Sequence, residues 1–91
     1  MNPSAVRILL VEDNPGDARL LRESLRDVES LACELTHVER LDDALRCLKT
    51  RAFDALLLDL SLPDSQGPGT VTRIAAAAPH IPIVVLTGTD D

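Results

Sequence analysis

The sequence predicts an α/β fold: a doubly wound parallel sheet with helices between its strands. Three observations carry that reading. Ile8-Leu9-Leu10-Val11 runs straight into Glu12-Asp13, and Ala55-Leu56-Leu57-Leu58 runs straight into Asp59. Four consecutive apolar residues cannot leave one face wet, so each run reads as a strand covered on both sides, as in parallel sheets. Between and after these runs, segments of helical periodicity alternate with strand-like ones from one end of the chain to the other.

The first strand, Val6 to Glu12, stops at Asn14-Pro15-Gly16-Asp17. Asn14 suits an N-cap, Pro15 the first helical position, and Asp17 the positive end of the helix that follows. That helix sets Ala18, Leu21, Leu25 and Val28 on one face and turns Arg19, Arg22, Glu23 and Arg26 towards water. Cys33 to Val38 alternates apolar and polar residues, the pattern of a half-covered edge strand. Leu41, Ala44, Leu45, Leu48 and Ala52 then recur at helical spacing, and Asp54 to Leu60 forms the third strand. Asp64 and Ser65 read as turn formers, and Gly67 and Pro68 as backbone-geometry residues where the third helix begins. Val71, Ile74, Ala75 and Ala78 mark that helix, which halts at Pro79. Ile81 to Leu86 is the fourth strand, with Pro82 tolerable near its start.

Ninety-one residues suit one domain. Phe53 is the only aromatic residue, so the core must be aliphatic. A net charge of −6 argues against nucleic acid as a partner, because phosphate binding needs clustered Lys and Arg. It argues against anionic membrane surfaces too, and no apolar run approaches the length of a spanning helix. No basic start leads into a long apolar stretch, so no signal peptide is visible and a cytoplasmic location is expected. Cys33 and Cys47 form no CxxC pair and read as reduced packing residues; His37 and His80 lack metal-ligand spacing and read as surface residues.

Ligands of open α/β sheets bind beyond the carboxyl ends of the strands. Glu12, Asp13 and Asp59 are expected to meet at that edge. Two unit charges about 5 Å apart repel by roughly 3 kcal/mol at an effective dielectric near 20, so a cation or a proton should intervene.

The segments LLVEDN, LLLDLSLPDSQG and IVVLTG, in this order and spacing, resemble the receiver domain of two-component response regulators. The resemblance implies a flavodoxin-like, CheY-like strand order of 2-1-3-4. It implies that Asp59 is the phosphoacceptor, taking a phosphoryl group from a histidine kinase or a phosphotransfer protein. Asp13 and Glu12 would hold Mg²⁺ together with Asp59, and the backbone carbonyl of Ser61 would add a further oxygen. Thr87, at the end of the fourth strand, would be the switch hydroxyl. The Arg19, Arg22 and Arg26 stripe reads as a solvated face, with kinase docking as its secondary role in such a family.

The match covers residues 1–91 as a single receiver domain, expected to be truncated before the fifth strand and the final helices. The family's Lys at the end of the fifth strand has no counterpart, since Lys49, on the second helix, is the only lysine. The isolated chain is therefore expected to be a poor phosphoacceptor. Its fourth strand would present an unpaired edge, and the isolated chain is expected either to self-associate through that edge or to be only partly folded. Two other functions compete. A haloacid-dehalogenase-like phosphohydrolase also uses an aspartyl nucleophile after a parallel strand, but it carries a second Asp where this chain has Ser61. A phosphorylation-independent pairing module is the other. Nucleotide binding is weaker, since the turn after the first strand lacks both GxGxxG and GxxxxGK[ST].

Overall fold

The chain runs β1 (Val6–Val11), α1 (Pro15–Arg26), β2 (Cys33–Val38), α2 (Leu41–Thr50) and β3 (Ala55–Asp59). It continues through β4 (Ser61–Leu62), β5 (Ser65–Gln66), α3 (Gly69–Ala77) and β6 (Ile83–Leu86). These elements come from a computed structural model that describes residues 5–26 and 33–86. β1, β2, β3 and β6 form a four-stranded sheet in the order β2-β1-β3-β6, with every pairing parallel. This is the order 2-1-3-4, with β6 as the fourth strand. The short antiparallel β4–β5 hairpin occupies the stretch read from sequence only as a turn.

The central strand is as dry as its composition demands. Leu9, Leu10 and Val11 have no exposed surface and Ile8 only 6%. Leu9 and Val11 join Leu56 and Leu58 of β3, Leu41 and Ala44 of α2, and Ile74 of α3 in one cluster. Phe53, the lone aromatic, is buried in the same cluster with the Arg51 guanidinium 5.4 Å from its ring centre. Ile8 and Leu10 alternate with Leu9 and Val11 and so face the other side of the sheet.

The expectation of burial on both faces needs correcting for β3. Leu56 and Leu58 are fully buried, whereas Ala55 and Leu57 are only half-buried. One face of β3 lies in the main cluster; among the described residues the other is less completely covered. β6, at the edge of the described sheet, exposes Val84 by 51% and Val85 by 39%.

Local signals behaved as their chemistry requires. The Asp17 N–H donates to Asn14 Oδ1 at 3.1 Å, so Asn14 caps α1 and Pro15 is its first residue. Val28 lies outside the described residues. Gly67 has φ +78°, a backbone conformation open to glycine at little cost, and its N–H closes the hairpin onto the Leu60 carbonyl at 2.9 Å. Among the described residues, no helix is long and apolar enough to cross a membrane.

Candidate functional site

The sheet register builds the site. β1 and β3 pair with Val11 opposite Leu58, so the next position along brings Glu12 alongside Asp59 at the carboxyl edge. Laterally paired residues on parallel strands point to the same face, and neighbouring strands lie about 4.8 Å apart. Asp13 follows directly as the chain leaves the sheet. One carboxylate oxygen from each of Glu12, Asp13 and Asp59 lies within 4.8 Å of the others. The predicted convergence is therefore present in the fold.

The three acids differ in their surroundings. Glu12 and Asp59 are buried, at 6% and 9% exposure, while Asp13 is open to solvent. Each buried acid accepts a nearby amide. Glu12 Oε2 takes the Asn14 N–H at 3.1 Å, and Asp59 Oδ1 takes the Ser61 N–H at 3.0 Å. Burial nevertheless raises the Glu12 carboxyl to about 7, against the lowering effect of the Asn14 amide and with the hydrogen bond and negative charge of Asp59 adding to it. A proton thus eases the crowding at neutral pH in the absence of a cation.

The donor set fits a small hard dication. All three side chains offer carboxylate oxygen, the ligand type that suits Mg²⁺, and among the described residues no nitrogen or sulfur ligand joins them in the cluster. Asp13, being exposed, leaves an open side through which a cation can keep part of its water shell.

Two residues in this region carry roles not read from sequence. His37, expected at the surface, is half-buried, and its Nε2–H donates to the Glu12 backbone carbonyl at 2.7 Å. That bond and the one from the Glu12 N–H to the Val38 carbonyl at 3.0 Å fasten the Glu12 peptide to β2. The alternation of Cys33 to Val38 fixed the face of His37, but a backbone acceptor leaves no trace in side-chain patterning. Asp64, read as a turn former, accepts amides from α2; the readable sign was that Arg40, just before that helix, is a poor cap. Cys33 and Cys47 are free thiols, and His80 is exposed. Arg19, Arg22 and Arg26 all face solvent. Thr87 lies outside the described residues; β6 ends with Leu86 opposite Asp59.

Comparison with known proteins agrees with this architecture. A family model for the response regulator receiver domain matches residues 8–91. The swarming motility regulation protein RssB of Serratia marcescens is 39% identical over 85 residues, covering 93% of this chain and 37% of that protein. The response regulator FleR of Pseudomonas aeruginosa is 33% identical over 84 residues, covering 91% of this chain and 17% of that protein. The chain thus spans well under half the length of these curated relatives. Among solved structures, the phosphorylated cyanobacterial phytochrome response regulator RcpA superposes with a TM-score of 0.80 at 30% identity, covering 96% of this chain and 68% of that one. The receiver domain of a Pseudomonas aeruginosa sensor histidine kinase, with magnesium coordinated in its active-site cleft, gives 0.78 at 32% identity, covering 91% and 67%.

Proposed function

The chain belongs to the response regulator receiver domain family, and on that premise we propose that Asp59 is its phosphoacceptor. The observation that supports this most is the meeting of Glu12, Asp13 and Asp59 at the carboxyl edge of β1 and β3. Receivers are signalling modules that take a phosphoryl group from histidine kinases or phosphotransfer proteins, and this chain is read as one of them.

In the proposed reaction an Asp59 carboxylate oxygen attacks the phosphorus of the donor. The bond from phosphorus to the donor atom breaks, and that atom leaves with the electron pair. Glu12, Asp13, Asp59 and the Ser61 carbonyl are the proposed ligands of Mg²⁺, which when bound would neutralise the carboxylates and the incoming phosphoryl oxygens. The Ser61 amide holds Asp59 by one oxygen, fixing the orientation of the carboxylate. Phosphoryl transfer asks mainly for positioning and charge stabilisation, so a strand end whose carboxylate is anchored by one backbone amide is sufficient scaffold. Thr87 is the proposed switch hydroxyl, supported by its place directly after Leu86, the residue paired with Asp59.

A cytoplasmic setting follows from the partners proposed. Self-association through β6 is supported by the exposure of Val84 and Val85 on the outer strand of the described sheet. The functional test is a small phosphodonor with and without Mg²⁺. A receiver incorporates phosphoryl only with the cation, a phosphohydrolase releases phosphate steadily, and a pairing module does neither.

A further inference from the structure

The segment after Asp59 is held at several points. Leu62 of β4 is buried in the main cluster at 1% exposure, Ser65 Oγ lies 2.6 Å from Thr70 Oγ1, and the Gly67 N–H reaches the Leu60 carbonyl. The remaining anchor crosses to another element. Asp64 Oδ1 accepts the Leu41 N–H at 2.8 Å, and Asp64 Oδ2 accepts the Asp42 N–H at 3.0 Å.

These two amides belong to the first turn of α2, where a helix has donors without partners of its own. Normally the preceding side chain supplies the cap, but Arg40 makes no such bond. Two acids, Asp42 and Asp43, already sit in this first turn. A third carboxylate reaching in from the hairpin gains from direct amide donation, and Arg40 offsets some of the local negative charge. Desolvation works against the Asp64 charge, yet the amides of Asp42 and Leu41, with Arg40 nearby, together outweigh it and hold the carboxyl below its ordinary range.

We propose that Asp64 is a positioning residue: by capping α2 from the β4–β5 hairpin, it fixes the segment that carries Ser61 relative to Asp59. The inference deepens the receiver reading, since Ser61 is there both the amide partner of Asp59 and a proposed cation ligand. The hairpin leaves β3 immediately after Asp59, so any displacement of its tip moves Ser61 before it moves anything else in the site. With Leu62 pinned in the core, Asp64 restrains the far side of the turn, and the pair leaves Ser61 little room to rotate.

The test compares the full chain with Asp64→Ala, Asp64→Asn and a core variant, Ile8→Val, which lowers stability from the face of β1 opposite the cluster that holds Leu62. Amide hydrogen exchange, which needs no cation, is read at Leu41, Asp42, Ser61 and Gly67. Asp64→Ala is expected to speed exchange at all four, Asp64→Asn to restore part of the protection, and Ile8→Val to leave the Ser61 and Gly67 pattern unchanged relative to global unfolding. Mg²⁺ titration by calorimetry then gives the functional readout. Asp64→Ala should weaken binding by roughly threefold to tenfold, less than the 10–100-fold typical of groups bonded directly to a ligand. Faster exchange confined to Leu41 and Asp42, with Ser61 and Gly67 unaltered, would make Asp64 a helix cap alone and overturn the proposal. Failure of the unaltered chain to bind Mg²⁺ would strike the receiver reading instead, leaving the exchange result to decide the role of Asp64.

Discussion

β1 and β6 are built from nearly the same chemistry, Ile-Leu-Leu-Val in one and Ile-Val-Val-Leu in the other, yet they live in different solvents. β1 has neighbours on both sides, β2 and β3, and its three innermost residues are completely dry. β6 pairs only with β3 in the described sheet and leaves two of its four residues substantially wet. The lesson is that a run of apolar residues states what a strand can tolerate, while its place in the sheet decides what it experiences. The same contrast separates chemistry from assembly. The dry strand carries an acid to a site where its charge is costly, and the wet strand offers surface to whatever can cover it.

Truncation should expose the contrast most strongly. Leu9→Ala, deep in the central strand, should cost about 2–5 kcal/mol in chemical denaturation, whereas Val84→Ala on β6 should cost less than about 1. Comparable losses at both positions would mean that β6 is covered in solution by something other than the described residues. Val84→Lys separates those cases. It should leave the unfolding midpoint of dilute chain almost unchanged and reduce any concentration-dependent association seen by sedimentation.

The next effect belongs to the acid that β1 delivers. Glu12 holds its proton up to about 7 in the fold, above the ordinary 4.5, so the folded state binds that proton more tightly than the unfolded chain. The stabilisation from that proton is complete below pH 4.5 and is lost as pH rises to about 7. Denaturation of the metal-free chain should show a loss of roughly 1–3 kcal/mol from this group across the interval, a slope that Glu12→Gln removes. A Glu12→Gln variant with the parent's slope would relocate the pH response. With Mg²⁺ present the sign inverts for binding: protonated Glu12 is a poor ligand, so apparent affinity should fall as pH drops through 7.

The sequence was most legible where one physical rule acted alone. The runs at 8–11 and 55–58 marked parallel strands, though only the first is dry on both faces, and acids ending both runs pointed to a shared edge. Asn14-Pro15 marked the start of α1 because the cap and the first helical residue are both local. Legibility failed where the partner was distant in sequence and the contact ran through the backbone. His37 bonding the Glu12 carbonyl and Asp64 capping α2 span 25 and 22–23 residues, and neither has a periodicity to betray it. The β4–β5 hairpin escaped notice because Pro63, Asp64, Ser65 and Gly67 read as a turn, while Leu62 gave the only hint of a buried anchor. The resemblance to receivers named the site residues, and the register of β1 against β3 supplies the reason three of them can act together.

The measurement that bears most directly on the central claim is the site of phosphoryl incorporation. The full chain and its Asp59→Asn variant are incubated with acetyl phosphate and Mg²⁺, and the modified residue is located by mass spectrometry after borohydride trapping. The account predicts slow incorporation at Asp59, abolished by chelating the cation and absent from Asp59→Asn. Incorporation that persists in Asp59→Asn, or that proceeds equally well without Mg²⁺, would contradict it.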